Sequence, residues 1–186
     1  VNIVSGFGEP CGRMLTTHPL VARISFTGGP ETARHIVRNS AENFAEVSLE
    51  LGGKSPVMVF EDADLESAAN GIIAGIFGAT GQSCVAGSRL YVQESVADEV
   101  IRRIADTAKT IVIGDPLADE TQMGPLATPG QLAHIEKEVA YAQEQGATLV
   151  HGGKRPPHLD AGLYYEPTIL ECPSQSTKIV DTELFG

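Results

Sequence analysis

The sequence predicts an α/β domain with a largely parallel sheet. Short β-branched runs alternate along the chain with amphipathic stretches. Glycine turns follow the first two predicted strands and lead toward helix-like segments. Of 186 residues, 42% are apolar and 20% charged, which is enough to bury a core and excludes a wholly disordered chain.

In order, Val1–Val4 reads as the tail of a strand, ended by the turn Gly6-Phe7-Gly8. Val21–Phe26 is a second strand, ended by Thr27-Gly28-Gly29. Pro30, tolerated in a first turn, opens a helix there, and Glu31 complements its dipole. Glu46–Leu51 and Val57–Phe60 are further strands. Asp62 or Asp64 caps a helix running to about Phe77, whose apolar positions Leu65, Ala68, Ala69, Ile72, Ile73 and Ile76 follow a 3.6-residue period. Leu90–Gln93 is a strand. Val96, Val100, Ile101, Ile104, Ala105 and Ala108 line one helix face, and Leu132, Ile135, Val139 and Ala142 another. Thr148–Val150 and Tyr165–Leu170 are short late strands, and Gly114–Pro129 and Gly152–Gly162 are turn-rich connectors. The best hinge is the pair Gly52-Gly53, dividing the chain into 1–52 and 53–186.

Charge and cysteine usage narrow the function classes. Thirteen basic and 24 acidic residues give a net charge of −11, which repels phosphate backbones, and no basic cluster offsets it. No nucleic-acid partner is expected. No apolar run approaches the ~20 residues of a membrane span, so no membrane partner is expected either. The three cysteines (Cys11, Cys84, Cys172) are odd in number and widely spaced. That argues against a disulfide framework or a zinc site and for a reducing, cytoplasmic setting. His134 and Glu138 stand one helical turn apart without a third ligand, so a solvated helix face is expected there and no metal site anywhere. The chain starts without Met on an apolar run, lacks a secretory signal, and reads as cut from something longer.

Three segments could carry chemistry. Gly6-Phe7-Gly8-Glu9-Pro10-Cys11-Gly12 could let backbone N–H groups approach a phosphate, but its spacing is GxGxxxG and a loop that only turns the chain explains it too. Cys84 sits in the glycine-punctuated junction Gly78–Ser88, either as a nucleophile near backbone N–H groups or as a small buried hydrophobe. Glu50 lies between Leu49 and Leu51; a buried carboxylate there suits proton abstraction, while strand alternation would point it at solvent.

Taken together these segments resemble the NAD(P)-dependent aldehyde dehydrogenase superfamily. The likeness rests on Phe26-Thr27-Gly28, Leu49-Glu50-Leu51-Gly52-Gly53-Lys54-Ser55-Pro56, Gly81-Gln82-Ser83-Cys84 and Glu183-Leu184-Phe185-Gly186, in that order. Gly114-Asp115-Pro116 and Met123-Gly124-Pro125 look like the same family's connector.

The resemblance implies a three-layer fold truncated at both ends, with the end of a cofactor domain in 1–52 and an incomplete catalytic domain in 53–186. It implies an enzyme that oxidises an aldehyde to a carboxylic acid, with NAD or NADP as cofactor, a small aldehyde as substrate and a homo-oligomeric (dimeric or tetrameric) parent. It makes Cys84 the nucleophile that forms a thiohemiacetal and then a thioester, and Glu50 the base that activates the hydrolytic water. It assigns Glu183 to the nicotinamide ribose, and Gly6, Gly8, Thr27, Gly28 and Gly29 to the pyrophosphate. Leu51, Gly52 and Phe185 are carried over as further cofactor contacts. Where the family usually has Ser, this chain has Gly29.

The upstream Asn of the oxyanion hole and the Lys that reads the adenine ribose have no counterpart here. An inactive isolated fragment is therefore expected. The alternatives are an acylating relative that passes the thioester to coenzyme A, against which Glu50 argues, and a folded module without catalysis.

Overall fold

A computed structural model describes residues 1–186, which divide into two units, Val1–Gly52 and Gly53–Gly186.

In the first unit a wide helical turn over Gly8–Gly12 runs into α1 (Arg13–Thr17). The amide of Asn39 ties α1 down by donating to Thr16 Oγ1 at 2.9 Å. β1 (Arg23–Thr27) and β2 (Glu46–Glu50) are parallel, with Arg23 opposite Glu46 and Thr27 opposite Glu50. They are joined by α2 (Pro30–Ser40), which buries Ala33, Ile36 and Ser40 on one face. This is a βαβ unit, the shortest connection that keeps two strands parallel. Val1–Val4 forms no strand, contrary to the sequence expectation, and stays exposed. A strand is stable only against a neighbour, and β1 and β2 pair with each other alone.

The second unit repeats the pattern. β3 (Pro56–Val59) and β4 (Arg89–Val92) are parallel and joined by α3 (Leu65–Phe77). Of the two caps the sequence offered, Asp64 is used: its carboxylate accepts from the backbone N–H groups of Glu66 and Ser67. α4 (Ala97–Ala108) packs on α3, and Val59, Ala69, Ile72, Val100 and Ile104 bury together as one core. At roughly 25 cal/mol per Å2 of apolar surface, each fully buried aliphatic side chain there contributes about 1.5–3 kcal/mol.

A second core gathers on α5 (Pro129–Glu144), from Leu132, Ile135, Val139, Ala142, Tyr165 and Ile179. α5 starts under Thr128, whose hydroxyl accepts from the Gln131 N–H. β5 (Thr148–His151) and β6 (Ile169–Glu171) form an antiparallel pair with an irregularity between Leu149 and His151. Tyr165–Thr168, expected to be strand, is not. Pro167 has no N–H to give a ladder, and Tyr165 serves the second core instead. The short α6 (Lys178–Asp181), which no sequence pattern announces, leads through Thr182 to Glu183.

The α/β class is thus present, with two parallel pairs and one antiparallel pair. No helix is long and apolar enough to cross a membrane.

Candidate functional site

In the first unit, the register of β1 and β2 brings two predicted segments together. Thr27 lies opposite Glu50, and the Gly28 N–H donates to the Glu50 carbonyl at 3.1 Å. The Thr27-Gly28-Gly29 turn and Glu50 therefore share the carboxyl end of a parallel pair, the end where α/β sheets bind ligands. Glu50 is exposed, and so are Leu49 and Leu51, so it is not held in an apolar pocket within this unit.

Gly29 occupies the N-cap of α2 with no side-chain cap, and a Cβ there would meet nothing within 4 Å. The first N–H groups of α2 are accordingly unspent and stand beside open space, a suitable place for a phosphate. Gly8 is equally open, whereas a Cβ on Gly6 would come within 2.6 Å of Cys11 Cβ. At Gly6 the backbone passes so close to Cys11 that a side chain has no room.

In the second unit, Cys84 follows a left-handed turn. Ala79 (φ 52°), Thr80 (φ 58°) and Gly81 (φ 70°) all have positive φ. Only glycine adopts this without strain, and β-branched Thr80 is the costly member. The connector resembling the family's own holds the turn: Thr80 Oγ1 donates to the Gly124 carbonyl at 3.2 Å, and Gln82 Oε1 accepts from the Ala127 N–H at 2.8 Å. Beyond the turn, Cys84 is exposed, so the buried-hydrophobe reading fails. Its backbone N–H donates to no acceptor in the chain, although neighbouring Ser83 and Ala86 N–H groups are both bonded. An accessible sulfur beside an unspent N–H can attack a carbonyl carbon and hold the oxygen that becomes negative.

Glu183 arrives in the same neighbourhood from the far end of the unit. Its Oε1 accepts from the Gly53 N–H at 2.9 Å, and a Cβ on Gly53 would lie 3.3 Å from the Cys84 carbonyl oxygen. Gly53 is the joint: its N–H is held by Glu183, and its Cβ-less face looks toward the Cys84 carbonyl oxygen. Phe185, at φ 60°, is half-exposed.

Beside this joint lies a cavity of about 440 Å3, bordered by Gly53, Lys54, Ser83, Cys172, Glu183 and Phe185 among others. Cys84 itself does not line it. Within the cavity wall, burial and the neighbouring Arg89 lower the Lys54 pKa. Burial raises the Cys172 thiol, which keeps that sulfur protonated at neutral pH.

The hold on the Glu183 segment has no signature in the sequence. Gln131 Nε2 donates to the carbonyls of Leu184 and, at 2.9 Å, Phe185. Glu138 is a correction: rather than lying on a solvated face it is 4% exposed. It accepts two 2.8 Å bonds from Lys178 Nζ.

The chain as a whole is similar to known dehydrogenases. It matches the aldehyde dehydrogenase family over residues 1–186 and belongs to it. A (Z)-2-((N-methylformamido)methylene)-5-hydroxybutyrolactone dehydrogenase of Acinetobacter baylyi is 55% identical over all of this chain and 38% of its own length. A peroxisomal aminoaldehyde dehydrogenase of Pisum sativum is 44% identical over all of this chain and 37% of its own length. Among solved structures, a putative aldehyde dehydrogenase from Burkholderia cenocepacia superposes with a TM-score of 0.95 at 42% identity. It covers 97% of this chain and 37% of its own. Betaine aldehyde dehydrogenase from Staphylococcus aureus in complex with NAD+ superposes with a TM-score of 0.93 at 40% identity, over 97% of this chain and 36% of its own. The chain thus spans less than two fifths of the length of these relatives.

Proposed function

We propose that the protein carrying this chain oxidises a small aldehyde to a carboxylic acid with NAD or NADP, through covalent catalysis at Cys84. The observation that carries this reading is the exposed Cys84 thiol with its unspent backbone N–H, beside a glycine held by Glu183.

In this reading the Cys84 sulfur attacks the aldehyde carbon, and the Cys84 N–H stabilises the oxyanion of the thiohemiacetal. NAD(P)+, when bound, supplies the hydride acceptor. Loss of hydride leaves a thioester on Cys84, and Glu50 takes a proton from the water that hydrolyses it.

The cofactor residues fit the group by their chemistry. The uncapped start of α2 behind Gly28 and Gly29 offers N–H donors to a pyrophosphate. Glu183 spends Oε1 on Gly53 and has Oε2 for a ribose hydroxyl. Gly8, Thr27, Leu51, Gly52 and Phe185 complete the assignment. NAD+ accompanies the Staphylococcus aureus relative, and NAP accompanies a 3,6-anhydro-L-galactose dehydrogenase that is 40% identical to this chain.

Residues 1–52 are assigned as the end of the cofactor domain and 53–186 as most of the catalytic domain. The 186 residues by themselves are expected to turn over no aldehyde. The setting is cytoplasmic, in keeping with three free cysteines. The full protein is a homo-oligomer, in keeping with exposed Phe44 and Met58.

The test is mass spectrometry of the full-length protein after exposure to aldehyde and NAD+. An acyl adduct on Cys84, abolished turnover in Cys84→Ser and slowed deacylation in Glu50→Gln are expected. Adducts on Cys11 or Cys172 with Cys84 unmodified overturn the assignment.

A further inference from the structure

Two residues of the loop before Cys84 have left-handed backbone without being glycine, Ala79 at φ 52° and Thr80 at φ 58°. Such backbone is unfavourable for a residue with a side chain and persists only where surrounding contacts over-determine it. Side-chain contacts to the loop come from one place, the connector segment 123–127, more than 40 residues further on. Thr80 Oγ1 donates to the Gly124 carbonyl at 3.2 Å, and Gln82 Oε1 accepts from the Ala127 N–H at 2.8 Å. The other end of the Gln82 amide turns back, Nε2 donating to the Ala79 carbonyl at 3.4 Å. One planar group thus ties the left-handed turn to the connector.

The connector is itself firmly placed. The Gln122 and Met123 N–H groups both donate to the Val112 carbonyl, at 2.9 and 3.1 Å, and the Gly114 N–H donates to the Met123 carbonyl at 3.2 Å. The Leu126 N–H donates to the Leu163 carbonyl at 2.9 Å. The side chains of Met123 and Leu126 are buried. Beyond Cys84 the chain is fastened again: the Gly87 N–H donates to the Gly75 carbonyl at 3.2 Å, and the Arg89 N–H to the Ser55 carbonyl at 3.1 Å. Cys84 therefore sits on a short span held at both ends. It follows Gln82 by two residues, too short a tether to absorb a shift, so its unspent N–H takes the direction those ends impose.

We infer that Thr80 and Gln82 are positioning residues that aim the Cys84 N–H at the oxyanion, with the 123–127 connector as the fixed rail. This rests on the role proposed above for Cys84. Both polar ends of Gln82 are engaged within the chain, so it acts through the backbone and not on the aldehyde. An oxyanion donor is effective only at about 2.7–3.1 Å from the developing charge, so a small rotation of its peptide is enough to lose it. Gln82→Met keeps the length of the side chain and removes both bonds, whereas Gln82→Glu keeps the acceptor for Ala127 and removes the donor. Thr80→Val keeps the shape and removes the hydroxyl, whereas Thr80→Ser keeps the hydroxyl.

The experiment is single-turnover acylation of Cys84 by aldehyde at saturating NAD(P)+ in the full-length protein, read by mass spectrometry for these four variants. Thermal unfolding is the folding control, and steady-state turnover of Cys84→Ser checks the underlying role. A parallel reaction with iodoacetamide uses the same sulfur but develops no oxyanion. Acylation should slow roughly ten- to hundredfold in Gln82→Met and Thr80→Val, short of the 10²–10³ lost with a whole donor. Gln82→Glu should fall between, and Thr80→Ser should keep most of the original rate. Alkylation of Cys84 by iodoacetamide should be unchanged throughout, which a loosened loop would not allow. Gln82 is only half-buried, so Gln82→Met carries the test if Thr80→Val does not fold. If folded Gln82→Met acylates at the original rate, or if alkylation slows in step with acylation, the inference is overturned and the Cys84 role survives. If Cys84→Ser still turns over aldehyde, both are overturned.

Discussion

The Glu183 carboxylate accepts a 2.9 Å hydrogen bond from the backbone N–H of Gly53, 130 residues earlier in the chain. That single contact closes the second unit on itself, joining its first residue to the segment near its last. A Cβ at position 53 would come within 3.3 Å of the Cys84 carbonyl oxygen, a tight contact. A backbone N–H given to a carboxylate is a charge-assisted bond, stronger than a neutral one.

Of the three thiols, Cys84 is the exposed one, and burial raises that of Cys172. Brief treatment with iodoacetamide near pH 7.5 should label Cys84 first and Cys172 last, read by peptide mass spectrometry. Faster labelling of Cys172 would show that its burial does not protect it.

The left-handed turn before Cys84 sets up a paired test. Ala79 is exposed at φ 52°, so Ala79→Gly should relieve αL strain and stabilise by about 0.5–1 kcal/mol. Gly81 is buried at φ 70°, with a Cβ there 3.0 Å from the Gly186 carbonyl carbon. Gly81→Ala should cost about 1–2 kcal/mol. Denaturant unfolding distinguishes them, and equal effects of one sign would contradict the turn.

Glu138 sets an acid limit. Its hydrogen bond from Lys178 holds its carboxyl below the ordinary range despite desolvation. A carboxylate with a depressed folded-state pKa contributes stability above its unfolded value of about 4.3 and loses it as pH falls through the folded value. Because Lys178 is half-exposed, Glu138→Gln should lower stability at pH 7 by about 1–2 kcal/mol, less than a fully buried pair would lose. The gap should narrow steadily below about pH 4.3. A constant gap in urea melts from pH 7 to 3 would show that the ion pair is not its source.

Gly29 stands at an N-cap without a side chain to use there. Gly29→Ser should add a hydroxyl acceptor for the first N–H groups of α2 and raise stability by a few tenths of a kcal/mol. A small rise in Tm checks this; a fall would mean the site cannot take the hydroxyl in capping geometry.

The elements were largely legible. Leu65 to Ile76 and Leu132 to Ala142 repeat at helical spacing and are helices because one face must leave water. Asp64 and Pro30 mark helix starts through local hydrogen bonding and a preset φ. The glycine turns at Thr27–Gly29 and Gly78–Ser88 were visible for the same reason, since backbone freedom is a property of the residue itself.

Local order is therefore written in the residues themselves: which stretches are helix or strand, where the chain turns, and which thiol and carboxylates stand at those turns. The exposure of Cys84, the burial of Glu138 and the grip of Gln131 and Gln145 on residues 178–185 follow instead from long-range packing. Burial and long-range hydrogen bonds depend on which distant segments fold against one another. Neither spacing nor propensity within a short window carries that information.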